Sequence, residues 1–464
     1  MNCGIIRHMK IRVMIAVFAC KTARWLLRVL GRGGTDFPGR VALKICPNLL
    51  GELARNVTTI VVTGTNGKTT TSRMVEQMLH DAGISYFANK SGANLLGGVT
   101  AEFAVHSTIF GNCRHTHAVI ESDEAAFKHI SKLVDAKAVL VTNVFRDQLD
   151  RFGEISKTLD SIRIGIANSK NAIVCLNGDD SLCTSLGEDI PNEVRYYGVN
   201  VPLYKNRVAE LSDAPYCIHC HHAYDYSFVT YGHLGGYSCP NCGYKRPDPD
   251  VCVTALTATT ANDSSVVVKM GEEEYAVTVN LPGGYNIYNA CGALCVGDAL
   301  DIDRQTAVDS LSHFACGFGR MEKFNIGDTE LRMILIKNPA GCNQVLNFLS
   351  EMTEPFVFAV CLNDRTQDGK DISWIWDVDF EKLAELKETL QTVYVSGIRA
   401  EEMAMRFYYA GFPKDKIRIL REYEDLTTAL EQETVPVYVM PTYTAMLDLR
   451  SHMSRKYGFG AYWE

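Results

Sequence analysis

Apolar and polar positions alternate in blocks along most of the chain. Short β-branched or apolar runs predict strands at residues 58–63, 118–120, 138–142 and 172–176. Helix-length segments separate these runs, at residues 70–81, 125–134 and 156–168. Strands that alternate with helices are typical of a parallel sheet with helices on both faces. The pattern therefore predicts an α/β fold.

The alternation continues towards the C-terminus. Residues 251–279 alternate with β periodicity, and a small-residue helix is predicted at 286–300. Beyond residue 320 the pattern predicts strands at 332–336, 356–362, 392–396 and 437–440, with helices at 343–352, 400–410 and 444–450. A length of 464 residues suggests about three domains. We expect an N-terminal segment (1–50), a central domain (51–320) and a C-terminal α/β domain (321–464).

The strongest local signal is the segment Thr-Gly-Thr-Asn-Gly-Lys-Thr-Thr at residues 63–70. It follows a β-branched run and precedes a helical pattern, so its backbone N–H groups and the helix N-terminus can hold phosphates. Lys68 would reach the β- and γ-phosphates of ATP, and the Thr69 hydroxyl would bind Mg²⁺. The alternative is a glycine-rich turn without a ligand. The predicted ATP-binding residues here are Gly64, Thr65, Asn66, Gly67, Lys68, Thr69 and Thr70.

Residues 202–250 form a Cys-, His- and aromatic-rich insertion in the central domain. Two Cys-x₂-Cys pairs, separated by 18 residues, predict a structural Zn²⁺ site in a ribbon. Three nearby histidines, His219, His221 and His222, are alternative ligands. The other alternative is that the four cysteines are free thiols and bind no metal. Nucleic-acid binding by the ribbon is disfavoured by the neighbouring Asp248 and Asp250. The predicted zinc ligands are Cys217, Cys220, Cys239 and Cys242.

The composition and charge of the chain argue against several classes of function. With 47% hydrophobic and 22% charged residues the chain is an ordinary globular one, and a net charge of −8 argues against a nucleic-acid partner. The apolar run at 14–19 is too short for a membrane span and is followed by no cleavage site. We expect an amphipathic helix at 22–30 that packs on the first domain or on a neighbour. The alternative is contact with a membrane surface through Arg24, Arg28, Arg32 and Arg40.

The shortened phosphate loop resembles that of Mur ligases and folylpolyglutamate synthases, and further motifs of this family follow it in order, at residues 142–151, 284–290, 319–322 and 337–339. The resemblance implies that Asn286 and Asn289 lie near the adenine. It also implies that Arg320 and Lys337 contact ATP, and that Glu121 or Glu124 binds Mg²⁺. Gln148 stands where the family has a metal-binding His, and no carbamylated lysine is assigned.

One branch of the family is more similar: the ligase-like subunits of lipid II isoglutaminyl synthase. The similarity extends through residues 91–94, 239–248, 368–377 and 442–447. It implies ATP-dependent amidation of the D-glutamate α-carboxylate of the lipid II stem peptide, through an acyl phosphate, at the inner face of the cytoplasmic membrane. Ammonia would come from a separate class I glutaminase of the GatD type. Asp371 would complete the catalytic triad of that partner, unless it simply caps a helix at 372–378.

Two other functions fit the same motifs. One is a stand-alone ligase of the Mur or folylpolyglutamate type that joins an amino acid to a carboxylate. The other is an ATP-binding zinc scaffold without catalysis, which the presence of Lys68, Thr69, Asn286 and Arg320 disfavours.

Overall fold

The computed structural model describes seven stretches of the chain. They are residues 2–29, 35–89, 92–146, 155–204, 213–315, 320–386 and 388–459, with side chains described except at 2–9 and 320. The α-helices are α1 (Asn2–Val29), α2 (Phe37–Ile45), α3 (Leu49–Ala54), α4 (Lys68–Asp81), α5 (Leu96–His106), α6 (Glu124–Ile130), α7 (Ile155–Asn168), α8 (Ser181–Thr184), α9 (Gly284–Ala299), α10 (Arg304–Ser312), α11 (Pro339–Ser350), α12 (Glu381–Ala384), α13 (Ala400–Tyr409), α14 (Tyr423–Leu430) and α15 (Tyr443–Tyr457).

The strands are β1 (Thr58–Thr63), β2 (Tyr86–Ala88), β3 (His117–Glu121), β4 (Ala136–Val141), β5 (Ile173–Asn177), β6 (Val194–Val199), β7 (Asp225–Tyr231), β8 (Leu234–Ser238), β9 (Val251–Thr259), β10 (Ser264–Met270), β11 (Glu273–Val279), β12 (Arg320–Ile326), β13 (Thr329–Ile334), β14 (Phe356–Cys361), β15 (Leu390–Ser396), β16 (Ile417–Ile419) and β17 (Val437–Pro441). Short 3₁₀ helices lie at Ser185–Gly187, Ser373–Asp377 and Lys414–Lys416.

A nine-stranded sheet forms the first large unit, in the order β11-β10-β9-β6-β5-β4-β1-β3-β2. The strands from β2 to β9 in this order are parallel, and β10 and β11 add an antiparallel edge. Along β1 the buried side chains alternate between two cores: Ile60 and Val62 pack with α4 and α9, and Val61 packs with α5 and α6. Helices therefore cover both faces, as a parallel sheet requires. This confirms the predicted α/β fold.

The N-terminal helices belong to the second of these cores. Val13, Ala16, Val17 and Cys20 of α1 are buried with residues of α2, α3 and α5. The helix begins at Asn2, so the predicted start at residue 22 is wrong. The arginines that interrupt the apolar run are accommodated in the helix because Arg12 and Arg28 are exposed, whereas Arg24 pairs with the buried Glu102 at 3.1 Å. In the part of the chain that the structure describes, no helix is both long and apolar enough to span a bilayer.

The C-terminal unit is a six-stranded sheet in the order β12-β13-β17-β14-β15-β16. β12 pairs antiparallel with β13, and the other pairs are parallel. The predicted strands at 356–362 and 437–440 are confirmed within one residue. The two large units touch directly, since the guanidinium of Arg332 donates to the carbonyl of Ala261 and to Asn262.

Candidate functional site

The phosphate loop connects β1 to α4, as predicted. Gly64 and Gly67 both have positive φ, +116° and +83°. A Cβ on Gly64 would come 2.4 Å from Thr142 Oγ1, and a Cβ on Gly67 would come 2.1 Å from Asn289 Oδ1. Both positions therefore require glycine for conformation and for space. Gly67 is the residue before the first turn of α4, so the helix N-terminus opens onto the loop.

The segment that follows β4 braces the loop from the side. Thr142 Oγ1 donates to the carbonyl of Asn66 at 2.7 Å, and the Asn66 N–H donates to Asn143 Oδ1 at 2.9 Å. The hydroxyl of Thr65 accepts from the N–H of Phe145 and donates to its carbonyl. These contacts fix the loop before any ligand arrives, which lowers the entropic cost of binding an anion.

Lys68 lies at the centre of this loop. Its buried Nζ donates to the carbonyls of Gly64 and Thr65 and pairs with Glu124 Oε1 at 3.1 Å. Burial raises the pKa of Glu124, while the positive charges of Lys68 and Lys337 oppose that rise. The ammonium group is thus held where the loop and the helix N-terminus converge, and Lys337 of the C-terminal unit contributes to the same electrostatic environment.

The two carboxylates that the sequence offers as Mg²⁺ ligands, Glu121 and Glu124, lie in different elements. Glu121 is the last residue of β3 and is 7% exposed, and its backbone is held by Asn89, which both donates and accepts. Glu124 begins α6 and is 5% exposed. Thr69 lies half-buried in the first turn of α4. Carboxylate and hydroxyl oxygens are the ligands that Mg²⁺ prefers, so the chemistry of these three side chains suits that ion. The pairing with Lys68 distinguishes Glu124 from Glu121, which sequence reasoning had left equivalent.

A cleft lies between the loop and the C-terminal unit. It brings together predicted residues from three separate segments: Asn66, Gly67 and Thr70, then Asn286 and Asn289 of α9, then Lys337. On α9, Asn289 Nδ2 donates to Asn286 Oδ1 at 3.1 Å, and Asn289 accepts from Thr71. The apolar wall includes Leu281, Met321, Ile334, Ala340 and Val345.

Sequence reasoning missed several residues of this cleft. Asn338, the N-cap of α11, donates to Asn66 Oδ1 at 3.1 Å across the two units. Tyr285 and Gln344 also line the cleft. The Asn-Pro step before a helix signals an N-cap, but only the folded chain shows that it faces the loop. Gln148 and the side chain of Arg320, which the sequence analysis singled out, lie outside the part of the chain that the structure describes. The backbone of Arg320 is described and begins β12.

The four predicted zinc ligands converge. Their sulfur atoms all lie within 4.8 Å of one another, with Cys217 and Cys242 at 3.5 Å and Cys220 and Cys239 at 3.4 Å. A tetrahedral Zn²⁺ with sulfur ligands requires sulfur separations of about 3.8 Å, so the cluster fits this metal. Hydrogen bonds from Asn241 and the His222 backbone lower the pKa of Cys220 to about 6, whereas burial and hydrogen bonds with the other three thiols raise the pKa of Cys242. His219 instead pairs with Glu188 at 3.2 Å.

A buried polar network joins the ribbon to α9. Arg246, beyond the second Cys pair, donates to Asp179 at 2.6 Å, and Tyr288 of α9 donates to the same carboxylate. His233, between β7 and β8, contacts Asp180 at 3.1 Å, and both side chains are fully buried. The ribbon is therefore anchored to the helix that carries Asn286 and Asn289.

Asp371 is not part of the cleft lining. It is exposed in the C-terminal unit, and its carboxylate accepts from the Ser373 N–H at 2.8 Å. Hydrogen bonds from Ser373 lower the pKa of Asp371, so the group stays ionised. The helix predicted at 372–378 is a short 3₁₀ helix, Ser373–Asp377, and the residue at its N-cap position is Ile372. Asp368, three residues earlier in the same segment, is buried and accepts a hydrogen bond from the N–H of Thr444.

Comparison with known proteins agrees with this geometry. The family model for the Mur ligase middle domain matches residues 62–242, and the model for the MurT ligase C-terminal domain matches residues 335–446. A Streptococcus pneumoniae protein named lipid II isoglutaminyl synthase (glutamine-hydrolyzing) subunit MurT is 35% identical, with coverage of 97% of this chain and 98% of that protein.

Solved structures support the fold. A pseudomurein peptide ligase type C from Methanothermus fervidus has a TM-score of 0.65 at 20% identity, covering 86% of this chain and 79% of that chain. The MurF ligase of Thermotoga maritima in complex with ADP has a TM-score of 0.61 at 15% identity, covering 89% and 84%. With its phosphate loop, its four-cysteine ribbon and a relative similar over the full length, this chain belongs to the MurT family of Mur ligase-type proteins.

Proposed function

We propose that the chain is the ATP-dependent ligase subunit of a lipid II isoglutaminyl synthase. In this reaction ATP phosphorylates the α-carboxylate of D-glutamate in the lipid II stem peptide. Ammonia then attacks the acyl phosphate, phosphate leaves, and D-isoglutamine remains. The observation that carries the proposal is the full-length similarity to a protein of that name, combined with a braced phosphate loop in an interdomain cleft.

Different residues of the loop, the cleft and the neighbouring segments would bind different parts of the Mg²⁺–ATP complex. The loop N–H groups and the N-terminus of α4 would bind the phosphates, and Lys68 would place its cation at the β/γ position. Asn286 and Asn289 line the same cleft and would hold the adenine end. Thr69, Glu121 and Glu124 would hold Mg²⁺, which supplies charge neutralisation on the phosphates. Lys337 and the side chain of Arg320 would bring the C-terminal unit onto the nucleotide.

The nitrogen source is proposed to be a separate class I glutaminase of the GatD type. A glutaminase needs a reactive thiolate, and burial makes several thiols of this chain poor candidates for that role. Burial raises the pKa of Cys20 and Cys252 to about 11 and that of Cys361 to about 12. The relative's name specifies glutamine hydrolysis and a subunit. Both facts favour an assembly over the stand-alone amino-acid ligase.

Asp371 would then act across the subunit interface. Its carboxylate is exposed and ionised, and it accepts hydrogen bonds from the neighbouring Ser373. An exposed, ionised carboxylate supports the proposal that Asp371 orients a histidine of the glutaminase. The local hydrogen bond is also what a capping residue makes, and the variant described in the Discussion separates the two roles.

The proposal is tested with the purified chain, ATP, Mg²⁺ and lipid II, with and without the glutaminase. Ammonium should support amidation by the chain alone, whereas glutamine should support it only with the glutaminase present. Product formed from an added amino acid, but not from ammonium, would establish the stand-alone ligase instead.

A further inference from the structure

The outward face of α1 carries a continuous apolar stripe. Ile11, Ile15, Phe18, Trp25 and Val29 recur at intervals of three, four or seven residues, which places them on one side of a helix. These side chains are 47–65% exposed. The face on the opposite side is the one buried in the protein, through Val13, Ala16, Val17 and Cys20. The helix thus has two apolar faces, and the described chain covers one of them.

Positive charges flank the stripe. Lys10, Arg12 and Arg28 are exposed and lie at its two edges by helical spacing. Two further cations on α1 serve the fold instead, since Lys21 donates to the carbonyl of Ser107 and Arg24 pairs with Glu102 at 3.1 Å. The exposed cations are therefore those that border the apolar stripe, in the arrangement that interfacial helices use.

Positive charge is also concentrated at the N-terminal end of the whole chain. Residues 1–44 contain nine Lys or Arg residues and a single acidic residue, Asp36, a formal charge of +8. Because the complete chain carries −8, the remaining 420 residues carry −16. An acidic protein with one strongly basic end is oriented by a negatively charged surface, with that end towards it.

We propose that the outward stripe of α1 binds the surface of an anionic phospholipid bilayer, with the helix lying in the interfacial plane. The aromatic and aliphatic side chains would enter the acyl boundary while Lys10, Arg12 and Arg28 contact lipid phosphates. The inference is separate from the proposed ligase activity, because it rests on the helix and can be measured without ATP or substrate.

The test is flotation of the full chain, alone and in complex with its glutaminase, with vesicles of phosphatidylglycerol and phosphatidylcholine. Both forms should float with the anionic vesicles and float poorly with pure phosphatidylcholine. The double variant Phe18→Glu/Trp25→Glu should stay at the bottom of the gradient. The matched control, Tyr408→Glu/Tyr409→Glu, changes two exposed aromatic residues of α13 and should float like the native chain.

A second variant set tests the charges. Replacing Lys10, Arg12 and Arg28 with Ala should lower the partition coefficient about a hundredfold, since each cation near the surface contributes about fivefold. Three results would overturn the proposal. They are no flotation of the native chain, equal flotation of the Phe18→Glu/Trp25→Glu variant, and loss of flotation when the glutaminase binds. Sedimentation showing a dimer that Phe18→Glu dissociates would assign the stripe to a second copy.

Discussion

Glu76 on α4 is a buried carboxyl next to the phosphate-binding end of the central sheet. Its side chain is 12% exposed, and its cation partner Arg73 lies 3.4 Å away and is half exposed. Burial raises the pKa of Glu76 from 4.5 to about 7, with Arg73 opposing the rise and the charge of Glu121 adding to it. Ionised Glu76 therefore destabilises the folded chain.

The sign and size of the effect follow from this pKa. Because the folded state holds the proton more tightly, the free energy of unfolding falls as pH rises from about 4.5 to about 7. At 1.36 kcal/mol per pKa unit the full loss is about 3 kcal/mol, reached near pH 8. Near pH 5 the loss is about 1 kcal/mol. Glu76→Gln imitates the protonated acid, so it should stabilise the chain by about those amounts at the two pH values.

Urea denaturation followed by circular dichroism, at about pH 5 and about pH 8, measures the difference. The matched control is Glu272→Gln, because the side chain of Glu272 is 98% exposed and should give no pH-dependent gain. An equal gain for Glu76→Gln at both pH values would show that burial does not perturb this carboxyl. No gain near pH 8 would refute the reasoning outright.

Three further predictions concern the proposed sites. Lys68→Ala should remove ATP hydrolysis and amidation while circular dichroism stays native, because a cation at the β/γ-phosphates is typically worth several kcal/mol of transition-state stabilisation; near-native turnover would exclude the assigned role. Cys239→Ser should release one Zn²⁺ per chain and lower the melting temperature, since metal binding contributes folding free energy; metal analysis of native protein that finds no zinc would contradict it. Asp371→Asn should strongly reduce glutamine-driven amidation, by up to about 10⁴-fold if the loss matches that of the same substitution in a serine-protease triad, and ammonium should restore activity. Equal loss with both nitrogen sources would place Asp371 in the ligase step, and a loss of thermal stability alone would identify a cap.

The repeating strands and helices could be predicted because their patterns are local. β1 has a β-branched run that is buried on both faces, and α9 is rich in small residues that allow close packing. The four cysteines were predictable from spacing, since two knuckles fix their own geometry. The ends of helices were less predictable. The residue at which α1 begins depends on which face of that helix packs against the core, and the sequence does not specify this face.

Long-range contacts account for most of what the sequence could not show. The bond between Asn338 and Asn66 joins residues 272 positions apart, and no periodicity encodes it. The same applies to Tyr288 and Asp179, which are 109 positions apart and which link α9 to Arg246 of the ribbon. Glu121 and Glu124 look equivalent in sequence, whereas the fold pairs one of them with Lys68.

The central claim is that the chain activates a carboxylate by transferring a phosphoryl group to it from ATP. Lipid II with oxygen-18 in the D-glutamate α-carboxylate tests this most directly, with ATP, Mg²⁺ and ammonium as the other reactants. If an acyl phosphate forms, the C–O bond breaks when ammonia displaces phosphate, and one labelled oxygen leaves in inorganic phosphate. The account predicts labelled phosphate in step with amide formation, and none with Lys68→Ala. Amide formed together with unlabelled phosphate would contradict it.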